Sequence, residues 1–406
     1  MLRPIPNNRR TAPRGAGLLV GCLVVLSAIS CQTQYTRTPS DLGAAWDYYL
    51  TTFVHDGRVV RPRHGGDTVS EGQAYAMLRA VWMDDQETFD RCYRWSEKHL
   101  SRAGRFGDNL LAWHYKKSSK GSKGEVVDWT PATDADLDYA LALFLASEKW
   151  SIQPRGLTPY RKKAAELASD IMRKAVLRLP SGELLLRPWV LDDEKDPDYP
   201  LTANPSYFSP AHYRIFEKLS GDNQWGQLAD DTYDQLGRIS QQLGRLKGIG
   251  LVPDWCLVTE SGNFKASEEK GTVSSWDAFR LWWRVGLDHR LSGEDRAKTL
   301  IKAQLIPFLR SELQKEGRIM LEYEYTGQPL KKYTSAAILG TYAWTVSPFD
   351  KELTRQLKQQ LAERRFSAPG GIFYDQPDNY YVNSWAWFGD ATERDLVKST
   401  PGEIDR

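Results

Sequence analysis

Apolar residues in this 406-residue chain recur every three or four positions in one segment after another, while runs with a period of two are nearly absent. No other feature constrains the fold as strongly, because apolar faces that repeat at the helical period are buried by packing helix on helix. The spacing predicts about eleven helices: Leu42 to Phe53, Glu71 to Met83, Gln86 to His99, Asp134 to Glu148, Pro159 to Leu177, Pro210 to Leu219, Gln224 to Leu243, Ser275 to Leu287, Arg296 to Glu316, Thr334 to Val346 and Lys351 to Arg364. Loops rich in Gly, Pro, Asp and aromatics separate them, such as "RPRHGGD", the lysine-rich "KSSKGSKGEVVDWTPATD" and "LDDEKDPDYPLTANPSYF". No low-complexity linker divides residues 42 to 395, so we read one all-α domain of roughly 350 residues. Helices joined by loops of unequal richness fit a toroid of helical hairpins whose inner helices aim one end at a central cleft.

Residues 1 to 31 read as a targeting segment. Arg3, Arg9, Arg10 and Arg14 precede an apolar run from Leu18 to Leu26, and Ser27, Ala28 and Ser30 lead to Cys31. The run is too short to span a bilayer, so it reads as a secretory signal. "LSAISC" resembles the bacterial lipoprotein box, which implies cleavage before Cys31 and its acylation; an ordinary signal peptide is the alternative. A short tether, 32 to 41, then leads into the domain at 42 to 395, and a polar tail, 396 to 406, follows. The expected location is outside the cytoplasmic membrane, with a lipid anchor as the only membrane contact, and the protein is expected to be a monomer.

Beyond the four leader arginines, 50 basic residues face 52 acidic ones, which implies no basic surface for nucleic acid. With Cys22 in the leader and Cys31 at the cleavage point, only Cys92 and Cys256 belong to the domain, too few for a disulfide framework. One bridge between them or two buried thiols are the alternatives. The six His form no cluster with metal spacing, and no Gly-rich phosphate loop occurs, so neither a metal nor any other cofactor is expected. Fifteen Trp and 19 Tyr suit either a large helical core or a surface on which flat ligands such as sugars stack.

Three predicted helices begin with carboxylates. In "TVSEGQAYAMLRAV", Thr68 and Glu71 could form a capping box, or Ser70 could cap with Gln73 and leave Glu71 free; we adopt the second frame. "ATDADLDYALALFLASEKW" carries Asp134, Asp136 and Asp138, with Thr133 or Asp134 as candidate cap. In "SSWDAFRLWWRV", Ser274 or Ser275 could cap, with Asp277 in the first turn and Arg280 three residues on, able to pair with it.

Together with "NPSYFSPAHYRIF", these segments resemble, in order, the successive motifs of glycoside hydrolase family 8, the bacterial endoglucanase family, over about residues 42 to 390. The resemblance implies an (α/α)6 barrel of six helical hairpins and hydrolysis of β-1,4 glycosidic bonds with inversion. It further implies Glu71 as general acid, Asp277 as general base, Asp134 as the acid that holds the distorted sugar, and Arg280 as a residue that orients the base or binds sugar. Inverting hydrolysis needs one protonated carboxyl for the leaving oxygen and one carboxylate to activate water, about 6.5–9.5 Å apart. Since the helix dipole lowers the pKa of Glu71, burial and negative neighbours such as Asp134 must outweigh it.

Trp113, Trp129, Tyr207 and Trp276 are the expected sugar platforms. Trp276 stands where the family often has Tyr, and "YYVNSWAWFGD" carries Trp385 and Trp387 in place of aliphatic residues, departures expected to bear on substrate preference. The expected substrate is cellulose or a related β-1,4-linked exopolysaccharide, with association to an exopolysaccharide synthesis complex as a further expectation. Chitosanase, xylanase or mixed-linkage glucanase activity on the same scaffold, or a non-catalytic glycan-binding lipoprotein, are the alternatives.

Overall fold

Residues 36–37, 41–117, 124–190, 192, 198–243, 250–271 and 273–391 are described by the computed structural model. The leader with Cys31, residues 118–123 of the lysine-rich loop, the tail from 396 and most of the tether lie outside them. The described helices are α1 (Leu42–Phe53), α2 (Ser70–Met83), α3 (Gln86–His99), the single turn α4 (Ala103–Phe106), α5 (Thr133–Lys149), α6 (Tyr160–Ala175), α7 (Pro210–Ser220), α8 (Gln224–Gln242), α9 (Arg280–Ser292), α10 (Asp295–Leu300), α11 (Ile306–Glu316), α12 (Ala336–Val346), α13 (Lys351–Ala362) and α14 (Tyr380–Asp390). None is long and apolar enough to cross a membrane.

Burial sorts them into two sets. Every residue of α12 is buried, and in α2 only Glu71 and Met83 are not. A helix apolar on all sides is surrounded by others. By contrast, α13 buries only Leu353, Leu357 and Leu361, one stripe at four-residue spacing that faces inward while the rest is solvated. Among the inner helices, α2, α5, α7, α9, α12 and α14 each touch the next, and α14 touches α2, closing a ring. An outer element precedes each inner helix: α1, α3, α6, α8, the α10–α11 pair and α13. The chain is thus an (α/α)6 barrel, the all-α fold expected.

Much of the aromatic excess fills the barrel axis. Trp82, Trp283, Trp385 and Phe388 meet tilted or edge-on with centroids 5.0–6.3 Å apart. Trp385 and Trp387 are fully buried, so the expectation that they bear on substrate preference is corrected: they pack the core. Arg79 is buried beside them, its guanidinium 4.2–5.1 Å from the ring centres of Trp46, Tyr49 and Trp387. Cys92 and Cys256 are buried, unbridged thiols.

The eleven-helix reading lacks α14, which closes the ring. The predicted helix Arg296 to Glu316 is α10 and α11 joined by a π-helical turn, Ile301–Leu305. Pro307 has no N–H to donate back into an α-helical ladder, and the wider turn accommodates it. Short strands in the loops lead to the inner helices: Thr68–Val69 runs directly into α2, Leu201–Ala203 leads toward α7, and Val273–Ser274 leads to α9.

Candidate active site

Glu71, Asp134 and Asp277 stand at the N-terminal ends of three inner helices, so the barrel brings their carboxylates to one end of its axis. The local geometry differs from the predicted caps. Val69 is the N-cap of α2, and its side chain caps nothing. The strand ahead of α2 pairs with His114–Lys117, and the Ser70 N–H donates to the Trp113 carbonyl at 3.0 Å, a tertiary partner in place of a side-chain cap. Gln73, expected to close a capping box, instead accepts from the Val59 N–H (2.5 Å) and donates to the Gly57 carbonyl (2.9 Å) and Ser96 hydroxyl (3.0 Å). Thr68 donates to the Val59 carbonyl at 2.7 Å and takes no part in capping Glu71. Neither capping frame forms, and Glu71 is free for the cleft.

In α5 the cap is Ala132, not Thr133 or Asp134. Of its three acids only Asp134 meets the other two carboxylates. Asp136 accepts from the Leu111 N–H (3.0 Å), while Asp138 takes a two-pronged contact from Arg284 (2.8 and 2.9 Å) and a third from His212 (2.9 Å). α9 begins at Arg280 rather than Ser275, so Asp277 lies in the turn just before the helix.

One guanidinium joins the three carboxylates. Arg280 Nη1 donates to Glu71 Oε2 (3.0 Å) and Asp134 Oδ2 (2.8 Å), and Nη2 donates to Asp277 Oδ1 (2.8 Å). The Asp277 pairing was expected; the other two partners were not, and they make Arg280 the hub of the site. Its side chain is sealed from solvent, whereas those of Glu71 and Asp277 are 19% and 29% exposed, and Asp277 lines the cleft. Because the two carboxyls contact different nitrogens of one planar group, their bonded oxygens are at most about 8 Å apart.

Three carboxylates around one cation cannot all ionise cheaply. Burial pushes Glu71 up to about 7, with the charges of Asp134 and Asp277 adding to the rise and Arg280 and a hydrogen bond from Tyr380 opposing it. Burial also raises Asp134, against the pull of Arg280 and Arg284. Burial and negative neighbours therefore outweigh Arg280 and the Tyr380 hydrogen bond at Glu71.

Of the expected platforms, Tyr207 lies 5.3 Å from the Arg280 guanidinium, and Trp276, 36% exposed, lines a 440 Å³ cleft with Asp277, Tyr380 and Tyr381. Trp113 abuts the start of α2, its indole donating to Asp128 (2.8 Å). Trp129 packs against Phe106 and Arg105, with no contact to the three carboxylates. Sequence reasoning missed several partners. Tyr380 donates to Glu71 Oε1 at 2.5 Å, and Gly72 leaves room for its ring, which a Cβ would meet at 3.3 Å. Asn204 donates to Asp277 Oδ2 (3.2 Å), and Ser206 Oγ accepts from Arg280 (3.0 Å). Both sit in the quoted "NPSYF" segment, a signal that was available; Tyr380 lay in the unrecognised α14.

A family model described as "Glycosyl hydrolases family 8" matches residues 18–316. Endoglucanase A of Acetivibrio thermocellus is 34% identical over 311 residues, covering 76% of this chain and 59% of that protein. Endoglucanase 2 of Ruminiclostridium josui is 33% identical over 233 residues, covering 57% of this chain and 45% of that protein. The chain thus spans about half the length of these curated relatives. Among solved structures, the endo-1,4-D-glucanase from Vibrio fischeri ES114 superimposes with a TM-score of 0.71 at 22% identity, covering 86% of this chain and 94% of that one, a likeness of fold.

Proposed function

The chain belongs to glycosyl hydrolase family 8, and from that premise we propose that it is an inverting endo-β-1,4-glucanase acting on cellulose or a related β-1,4-linked exopolysaccharide. In this reading Glu71 gives its proton to the leaving glycosidic oxygen. Asp277 takes a proton from the water that attacks the anomeric carbon from the opposite face, so the configuration inverts. Asp134 holds the sugar at the cleavage point, and Arg280 keeps the three carboxyls in register. Tyr207 and Trp276 offer ring faces to the chain on either side, with Trp113 beside the acid.

The observation that supports this reading most is the pairing of a carboxyl raised to about 7 with a second, more exposed carboxylate through one guanidinium. An acid that still holds its proton near neutrality and a base that reaches water are the two groups inversion requires. The leader supports a further part of the proposal, an exported hydrolase acylated at Cys31.

The test is hydrolysis of defined β-1,4 oligosaccharides with detection of the product anomer, alongside carboxymethylcellulose, lichenan, xylan and chitosan. Glu71→Gln and Asp277→Asn should each abolish cleavage while the protein stays folded. Retained configuration would overturn the mechanism, preference for another polymer would move the substrate, and near-normal activity in either variant would refute the residue roles.

A further inference from the structure

Asp254 belongs to none of the helix starts that carry the catalytic carboxyls; it precedes the strand Cys256–Val258 and is buried. Its Oδ1 accepts from the backbone N–H groups of Ser275 (2.7 Å) and Ala278 (2.8 Å), and its Oδ2 accepts from the Ser275 hydroxyl. Those donors stand two residues before Asp277 and one after it. The Asp254 N–H in turn donates to the Val273 carbonyl at 2.7 Å, tying the two segments together a second time. One carboxylate therefore closes the turn from both ends.

The arrangement answers a mechanical need. Asp277 is not on a helix but in a turn whose internal bonds run forward into α9, from the Arg280 N–H to the Asp277 carbonyl (3.1 Å) and from the Leu281 N–H to the Ala278 carbonyl (3.2 Å), so the N–H groups of Ser275 and Ala278 need an acceptor outside it. Three donors converging on one point call for an acceptor-only group, which an ionised carboxylate is. Placing it there is costly: burial and the charge of Asp277 push Asp254 up to about 6, against the pull of its three donors. The Asp277 side chain is fixed separately, by Arg280 on one oxygen and Asn204 on the other. Arg280 also holds the Asp277 carbonyl, through its N–H (3.1 Å) and Nε (3.3 Å), so Asp254 fixes the residues that flank Asp277 while Arg280 and Asn204 fix Asp277 itself.

We propose that Asp254 is the positioning residue for Asp277, holding the Ser275–Ala278 turn so that the base and the water it activates stand in line with the anomeric carbon. This rests on the assignment of Asp277 as base in the proposed function. Asp254 touches neither substrate nor water in the reaction; it acts through the turn.

Steady-state kinetics on a soluble β-1,4 oligosaccharide, with melting temperatures, test the proposal on Asp254→Ala, Asp254→Asn and Ser275→Ala. Misplacing a catalytic group by an ångström costs about 100-fold, so Asp254→Ala should lose about that in kcat with KM within about threefold. Asp254→Asn keeps an oxygen for both N–H donors and should recover at least about tenfold of the loss. Ser275→Ala removes one donor and should lower kcat by about two- to tenfold with an unchanged melting temperature. A purely structural role would lower the melting temperature of Asp254→Ala and leave kcat of the folded protein within about threefold of wild type, which would overturn the proposal. If Asp254→Ala does not fold, Ser275→Ala decides: wild-type kcat in it overturns the proposal equally. Activity surviving in Asp277→Asn would instead overturn the base assignment, a result that the Asp254 variants cannot produce.

Discussion

Replacing Tyr380 by Phe removes a single hydroxyl, and the structure sets both the sign and the size of the effect. That hydroxyl donates to Glu71 Oε1 at 2.5 Å and so favours the ionised carboxylate. Hydrogen bonds to charged groups are worth about 1.5–3 kcal/mol, and each pKa unit corresponds to about 1.4 kcal/mol, so Tyr380→Phe should raise Glu71 by about one to two units. Glu71 works in its protonated form; activity is therefore lost as pH rises through its pKa, about 7 in the wild type. The alkaline limb of the kcat/KM profile should move to higher pH by the same one to two units, whatever happens to the maximal rate. Initial rates on a soluble oligosaccharide, from acid to alkaline pH, read this directly. A folded variant whose alkaline limb stays in place, or moves to lower pH, would refute either Glu71 as the acid or Tyr380 as its partner.

Asp138 is drawn down to about 2, because Arg284 and His212 together outweigh its burial. Its folded value lies below the ordinary 3.8, so its contribution to stability is present above that value and lost as pH falls through about 2. Removing one member of a fully buried pair costs about 3–5 kcal/mol, so Asp138→Asn should melt well below wild type at neutral pH, with a gap that narrows in acid; a constant gap would argue against the pair. Trp276→Ala should raise KM for long oligosaccharides by about tenfold, the usual size of one lost stacking contact, and leave kcat within a few-fold, unless the ring carries no sugar. Cys31→Ser should abolish incorporation of labelled palmitate in growing cells; label retained by the variant would exclude Cys31 as the acylated residue.

The helical class and most of the elements were legible because a 3.6-residue stripe is a local property of the chain. It is strongest in one-sided helices such as α13 and weakest in helices buried all round, such as α5 and α12; α14 went unread although its stripe is no weaker than theirs. The carboxylate positions were legible too, through helix starts and motif order. The predicted caps were not. Capping rules assume that a helix must satisfy its own first N–H groups, whereas here a strand and the Trp113 carbonyl do it from outside.

Sequence alone determined an all-helical chain with acids at or near the starts of several helices, since the helical period and the i,i+3 pairing of Asp277 with Arg280 act over a few residues. Only the tertiary structure decided how far Glu71 is pushed from its ordinary value. Arg280 reaches Glu71 across 209 positions and Asp134 across 146, and Tyr380 reaches Glu71 across 309. Burial, charge sharing and hydrogen bonding at that range depend on which surfaces the closed ring brings together. No local pattern encodes them, and they are what turn a common helix-start glutamate into a carboxyl that titrates near neutrality.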